Sequence, residues 1–406
     1  MKRKVVIIGH GYTSRLGLIR SLAELDCEIT VVAMVFNGRF GRLVRGEGWK
    51  PIDGYSKYVH RVLYCPVTDE EGLIRLLLRK CADPAGKVVL IPDSDFSAAV
   101  VDRNRTRLQD AFLFPTVEGG TGLVEHWMDK ISQKTLAREV GMHVAEGYVV
   151  TVQGGHYVLP MEIPYPCFTK ALATISGGKQ FLKRCNDERE LRRVLDKVAR
   201  RYETNVLIEE FKQIDKEYAV VGLADGEDVI IPAVIEFVEN TQSHFGIACK
   251  GRILPVDGFE EMIASFRTFV EKMGFRGLFD IDFYESAGVL YFSEMNLRFG
   301  GSGYAVTRAG VNLPAMFVLR MYGEDCSGMN RSVIQPLTYV NERMALDDFV
   351  GGYLDKKGYE DVVGSADIRF VYDASDPGPQ RQYRRYVFFQ SIRRRIKKTR
   401  KKFRNN

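Results

Sequence analysis

An α/β domain built on a parallel sheet, followed by a larger α+β domain, is the fold class this sequence predicts. Three observations carry it. The run Val5, Val6, Ile7, Ile8 passes through a glycine turn into a helical pattern and a second apolar strand, the opening of a βαβ unit. At 406 residues the chain outgrows one hydrophobic core, so two or three domains are expected. From residue 129 onward strands and helices follow in an α+β pattern, with no internal repeat and no low-complexity linker.

The elements justify this in order. After the first strand, the turn reads G-H-G-Y-T-S and lacks the third glycine of a nicotinamide-binding fingerprint, so the fold is Rossmann-like without that signature. A helix over 14–25, a strand over 28–35, a helix over 70–81 and a strand over 87–92 complete a domain of residues 1–115. Its last strand runs into Asp93-Ser94-Asp95, at the carboxyl end where such sheets bind ligands. In the second domain, residues 116–335, a helix over 130–140 stops at Gly141, whose missing Cβ suits a C-cap. Strands follow at 147–152 and 167–171, then the turn Ser176-Gly177-Gly178-Lys179 and a charged helix over 187–201. Strands at 206–211, 217–223 and 228–238 lead to a helix over 260–273 and two strands at 278–284 and 289–295. Residues 336–380 read as a less legible α/β extension, and 381–406 as a basic amphipathic tail.

Composition narrows the class. Hydrophobic residues at 45% and charged residues at 27% fit a soluble globular protein. No stretch approaches the roughly 18 apolar residues of a membrane span. The amino terminus reads as a strand, not a signal peptide. Seven scattered cysteines without a C-x-x-C pair argue against a disulfide framework and a zinc site, and for a reducing cytosol. Twelve Lys and Arg fall between Arg381 and Arg404, with no acid after Asp376; without them the net charge of +6 becomes −6.

Three separated elements fit the holding of a nucleoside triphosphate with magnesium. Lys170 ends a strand seven residues before Gly177-Gly178-Lys179, and two lysines with a glycine loop can wrap a polyphosphate. A plain hairpin turn is the alternative. Ile208-Glu209-Glu210-Phe211 ends one strand and Glu217 begins the next, a crossover that offers backbone groups to a base and a carboxylate to ribose hydroxyls. A solvated acidic turn would look the same. The most specific stretch runs over 279–304. Period-two alternation sets Asp280 and Asp282 on one strand face, and Glu294 and Asn296 on the matching face of a hairpin partner, with Arg298 beyond. Acidic and amide oxygens converging there suit Mg²⁺, a hard cation that also takes phosphate oxygens. The opposite face is expected to be apolar, with Phe279, Ile281 and Phe283 on the first strand and Val289, Tyr291 and Met295 on the second.

The order Lys130, Lys170 with G-G-K, I-E-E-F, Glu217, then Asp282 and E-M-N-L-R-F-G-G-S resembles the ATP-grasp superfamily over about residues 115–330. The resemblance implies an ATP-grasp fold behind an N-terminal pre-ATP-grasp domain, with a lid over about 130–210. It implies a carboxylate–amine ligase that uses ATP and Mg²⁺, or Mn²⁺ in its place. Tyr55-Ser56-Lys57-Tyr58 and Ile91-Pro92-Asp93-Ser94-Asp95 make the D-aspartate ligase branch of cell-wall synthesis the most similar. Carried over, Lys130 and Lys170 bind phosphates and Gly177, Gly178 and Lys179 close over them. Glu210, Phe211 and Gln213 line the adenine pocket, and Glu217 holds ribose. Asp282, Glu294 and Asn296 ligate the metal, while Arg298 and Lys170 serve catalysis. Substrate contacts fall to Ser302, to Arg308 as a carboxylate clamp with a surface ion pair as its alternative, and to His244 in a loop. The superfamily's habits admit a homodimer.

The tail leaves three readings open. Tyr386, Phe389, Ile392, Ile396 and Phe403 recur at helical spacing among arginines, which suits an anionic membrane surface. A disordered solubilising terminus is the second reading. Nucleic acid is the third and is disfavoured, because the acidic body offers no other basic surface. The location expected is cytoplasmic, at or near the inner face of the membrane. The competing function is an inactive nucleotide-binding protein recruited by the tail, against which the intact Asp282, Glu294, Asn296 and Arg298 argue.

Overall fold

The computed structural model describes residues 2–35, 50–172, 182–243 and 248–404. Strand β1 (Arg3–Gly9) is buried from Val5 onward and pairs in parallel with β2 (Cys27–Val35), across helix α1 (Tyr12–Ser21). β3 (Val59–Pro66), β4 (Val88–Pro92) and β5 (Phe112–Leu113) complete a parallel sheet ordered β3-β2-β1-β4-β5. Helix α2 (Glu70–Lys80) starts where the Asp69 carboxylate accepts the Gly72 N–H, with Glu70 and Glu71 in its first turn and Arg79 and Lys80 in its last, the signs the helix dipole favours. Helix α3 (Asp95–Arg103) starts on a reciprocal Ser94–Ser97 capping box. The order reverses between β1 and β4, so their carboxyl ends face one crevice. Gly9 is required there, because a Cβ would lie 1.3 Å from Asp93 Oδ1 and its φ is +156°.

Two short strands, β6 (Thr116–Val117) and β7 (His143–Val144), flank helix α4 (Lys130–Glu139). The Asp129 carboxylate caps α4 by accepting from the N–H groups of Ile131 and Ser132. A four-stranded antiparallel sheet follows, β8 (Gly147–Val152), β9 (Cys167–Ala171), β10 (Lys183–Cys185) and β11 (Thr204–Glu210), ordered β10-β9-β11-β8. Helix α5 (Glu188–Ala199) covers it with Leu191, Val194, Leu195 and Val198, spaced one face apart and worth roughly 1.5–3 kcal/mol each on burial.

The remaining strands are β12 (Lys216–Ala224), β13 (Val229–Ile230), β14 (Val234–Asn240), β15 (Ala248–Leu254), β16 (Phe275–Ser286), β17 (Val289–Asn296), β18 (Leu337–Val340) and β19 (Ile368–Arg369). They build a ten-stranded sheet ordered β19-β18-β15-β14-β12-β16-β17-β7, with β13 on β12 and β6 on β16. The single strand expected over 228–238 is split at Pro232, which has no N–H to give a ladder. Helix α6 (Glu260–Met273) covers one face, setting Phe266 against Phe283 at 5.3 Å and Phe269 against Phe292 at 5.1 Å between ring centres.

On β16 the expected alternation holds, with Phe279, Ile281 and Phe283 all buried in the core. On β17 it does not. The pairing steps from Asp282–Glu294 to Phe283–Phe292, leaving Ser293 as a bulge. Met295 therefore stays on the core face and is joined by Phe292. Tyr291 turns instead to the acidic face, where it stacks on Tyr284 at 5.4 Å. Val289, opposite Ser286, shares that face with Tyr291.

Residues 336–380 do not stand apart from the large sheet, since β18 and β19 extend its edge. Helix α7 (Glu342–Gly351) opens with Glu342, whose buried carboxylate accepts from the N–H groups of Phe370, Val371 and Tyr372. Helix α8 (Lys356–Gly364) precedes a last helix, α9 (Pro377–Arg404). This helix does not begin as a free tail. Tyr383 and Tyr386 are buried with Ile52, Leu346 and Val371. From α1, Arg20 donates to the carbonyls of Phe370 (2.8 Å), Val371 (3.0 Å) and Asp376 (3.2 Å), and to the Asp376 carboxylate at 3.1 Å.

Arg20→Met should cost about 3–5 kcal/mol, because it strands a fully buried Asp376 carboxylate with its positive partner gone. Urea unfolding checks this; a loss below about 1 kcal/mol would show the latch to be dispensable.

Candidate active site

The hairpin of β16 and β17 brings the acids together. Asp280 stands opposite Asn296, and Asp282 opposite Glu294. Asn296 Nδ2 lies 3.5 Å from Asp282 Oδ2. Burial first, and Asp280 next, push the Asp282 carboxyl up to about 8. Burial and Asp95 push Asp280 to about 6, against the pull of Arg298. Arg298 is itself held between two elements far apart in sequence, 3.3 Å from Asp95 at the start of α3 and 3.3 Å from Asp280 on β16. Burial alone would lower its pKa, but Asp95 and Asp280 raise it. The R-F-G-G turn has a steric reason as well, since a Cβ on Gly300 would lie 1.9 Å from Asp280 Oδ2.

Helix α4 supplies the opposing cations. Gln133 pins it to β17, donating to Met295 O and accepting from Met295 N, both at 2.8 Å. One turn away Lys130 pairs with Glu294, and at i+4 Lys134 pairs with Glu209 of β11 while donating to Ala145 O at 2.9 Å. Lys170 on β9 meets the same Glu209 at 2.6 Å. Burial and then Lys170 lower the Lys130 ammonium to about 8. Burial would raise the Glu209 carboxyl, but Lys170 and Lys134 together draw it down to about 2.

The other expected residues are less concentrated. Glu217 pairs with Asn240 and its charge reaches Asp282. Glu210 accepts from the Glu146 N–H at 3.2 Å, pairs with Lys212 at 2.9 Å, and lines an open cleft of ~810 Å³ with Glu146, Tyr148, Tyr165 and Arg192. The N–H groups of Glu210 and Phe211 are engaged by Glu146 O and Pro166 O, each at 2.9 Å. The Phe211 ring carries the Arg184 guanidinium at 4.2 Å, and Gln213 is exposed. Ser302 Oγ is 3.1 Å from the Tyr339 hydroxyl. Arg308 is half-exposed and pairs with Asp373 at 3.6 Å, as its surface ion-pair alternative requires. Gly177, Gly178, Lys179 and His244 lie outside the described residues.

Sequence reasoning missed Lys134 and Gln133, and named Glu209 and Asp95 without giving either side chain a role. The signal for Lys134 was present, a second lysine four residues after Lys130 on one helix face. Glu209 required the register that sets Leu207 opposite Lys170, which puts Glu209 on the lysine's face.

The donor set can be tested against a divalent metal. Among the described residues no three His, Cys, Asp or Glu side chains converge tightly enough to enclose a metal ion. Yet Asp282 and Glu294 stand opposite each other, Asn296 adds an amide oxygen, and Asp280 Oδ1 is buried without a hydrogen-bond partner. Hard oxygens of this kind, short of a full set, fit Mg²⁺ that completes its shell with phosphates and water.

No protein-family model matches the chain. It is 28% identical over 221 residues to the carbamoyl phosphate synthase large chain of Gemmatimonas aurantiaca, which covers 53% of this chain. The chain spans about a fifth of that relative's length (20%). In three dimensions it superposes on N5-carboxyaminoimidazole synthetase of Staphylococcus aureus with a TM-score of 0.62, over 88% of this chain and 87% of that one, at 16% identity. The fold is the ATP-grasp fold. The L-amino acid ligase of Bacillus licheniformis shares it, with a TM-score of 0.59 at 14% identity over 83% of this chain and 80% of that one.

Glu209→Gln gives a pH-dependent test. The folded carboxyl sits near 2, below its ordinary 4.5, so its contribution is whole above about pH 4.5 and fades as pH falls toward 2. The stability gap between wild type and variant, measured by urea unfolding, should be largest near pH 6 and shrink by pH 3.

Proposed function

We propose that the chain is an ATP-dependent carboxylate–amine ligase. The observation that carries this reading is the Asp282–Glu294 pair on the hairpin inside an ATP-grasp fold, with Lys130 against Glu294, Lys170 within charge reach of Lys130, and Arg298 against Asp280. Its structural relatives include a synthetase crystallised with ADP and an amino acid ligase.

Lys130 and Lys170 neutralise the triphosphate, and Lys134 keeps Glu209 compensated when Lys170 turns from it toward phosphate. Asp282, Glu294 and Asn296 would hold Mg²⁺, or Mn²⁺, which neutralises charge on the phosphates during transfer. The substrate carboxylate oxygen attacks the γ-phosphorus and ADP leaves, giving an acyl phosphate. An amine then attacks the acyl carbon and phosphate leaves, forming an amide. Arg298, charged and fixed by two carboxylates, faces the developing oxyanion with the backbone N–H groups around residues 300–302. Ser302, Arg308 and His244 contribute to the substrate side, Glu217 to ribose, and Gly177, Gly178 and Lys179 to closure over the phosphates. Adenine lies against residues 210–213 by their side chains or carbonyls, since two of their N–H groups are engaged.

The finer reading places the reaction in cell-envelope or glycan biosynthesis, on the D-aspartate ligase branch, in the cytoplasm near the inner membrane face, with a homodimer as the assembly. An inactive nucleotide-binding protein would have no need of a guanidinium clamped at the site.

ADP release with Mg²⁺-ATP, screened across pairs of amino acids, amino sugars and carboxylated precursors, should require both a carboxylate and an amine. Glu294→Gln should fold normally and lower that rate by at least 100-fold, on the order of losing one preorganised charge at the reacting centre. A rate within about tenfold of wild type would remove the metal assignment.

A further inference from the structure

The last helix, α9, has two sides with different partners. Pro379, Gln382, Tyr383, Tyr386 and Gln390 are buried, and Arg394 donates to Leu354 O at 3.1 Å while capping the Phe349 ring at 4.3 Å. These positions recur every three or four residues, so one stripe of the helix is fixed on the body. The opposite stripe, Arg381, Arg384, Arg385, Phe388, Phe389 and Ile392, is exposed. Phe388 and Phe389 keep 63% and 49% of their surface in water and pack edge to face on each other, and Ile392 keeps 38%. Single exposed apolar residues are ordinary, but three neighbours on one stripe are not the makings of a merely solvated face. Beyond Arg394 the helix runs ten more residues, about 15 Å, with seven further Lys and Arg in the sequence and no acid.

We propose that this exposed stripe of α9 docks the protein on an anionic lipid surface, with Phe388, Phe389 and Ile392 entering the interface and the flanking arginines and lysines meeting the headgroups. Charge complementarity selects this occupant. All twelve cations after Asp376 are gathered on one helix, while the rest of the chain carries a net −6. A flat anionic membrane touches only the helix edge and leaves the acidic body in solvent. A nucleic acid would have to pass that body, and the stripe offers no second basic wall to follow a phosphate backbone. The inference does not depend on the ligase reading. It also relocates the apolar contacts expected from sequence, since Tyr386 is part of the core and Phe388 takes its place.

The docked half of α9 dictates the test. Removing residues from 381 onward would strip Tyr383 and Tyr386 from the core, so truncation belongs after Arg394. The full chain should sediment with vesicles of phosphatidylcholine and phosphatidylglycerol, not with phosphatidylcholine alone, and 0.5 M salt should release it. F388S/F389S should weaken binding at least tenfold with an unchanged melting temperature, and truncation after Arg394 should weaken it further still. Equal binding to neutral vesicles, no binding to either, or an F388S/F389S variant that binds as wild type would overturn the proposal. So would duplex DNA or RNA binding that outcompetes the anionic vesicles. ADP release in the two variants separates this outcome from any failure of the ligase reading.

Discussion

Arg298 is the charge on which the site depends. A guanidinium withdrawn this far from water is stable only when paired, and here its two partners come from different parts of the chain. Asp95 opens a helix of the amino-terminal domain, and Asp280 lies on the hairpin of the large sheet. Arg298 is therefore paired on both sides only where that helix packs beside the hairpin. Gly300 leaves room for Asp280 to reach Arg298, and in the adjoining crevice Gly9 leaves room for Asp93, whose carboxyl is pushed by burial up to about 7 against the pull of Arg15. The glycines near the site are answers to carboxylates that occupy the volume a side chain would need.

Across from the acids, the cations are organised by one helix and one carboxylate. Gln133 locks α4 to β17, so Lys130 reaches Glu294 and Lys134 reaches Glu209 from the same surface. Glu209 then gathers Lys170 from the small antiparallel sheet. Cations and carboxylates thus alternate through the site, each beside an opposite charge, which offsets the cost of taking them out of water. Glu209 is the joint of this arrangement, since its carboxylate is shared between Lys134 of α4 and Lys170 of β9.

The fold class was legible because helices such as α5 and α6 carry strong periodicity and the acids of β16 alternate with apolar residues. Strands β3 and β15, helix α3 and the helix Leu313–Met321 were not read. What escaped has local physical causes. The Ser293 bulge cannot be read from a pattern of period two, and it moved Val289 and Tyr291 to the other face. Glu209 and Glu210 are indistinguishable until the register with Lys170 is known, and the structure gives the inward position to Glu209. The partner in the ion pair that Arg308 offers as its alternative could not be named, because Asp373 lies 65 residues later. The basic tail looked separate because its tyrosines find their core only through contacts with Ile52 and Leu346, far away in sequence.

The Arg20 latch has a consequence for how the chain is made. Its guanidinium lies in the first helix, yet its acceptors are the carbonyls of Phe370 and Val371 and both carbonyl and carboxylate of Asp376. A chain emerging from the ribosome amino terminus first completes the strands of its parallel sheet by residue 113. More than two hundred further residues must follow before Arg20 can exchange water for those acceptors. The contacts of α1 with residues 370–376 are accordingly among the last that a growing chain can make, and a chain stopped before residue 376 lacks the carboxylate that answers Arg20.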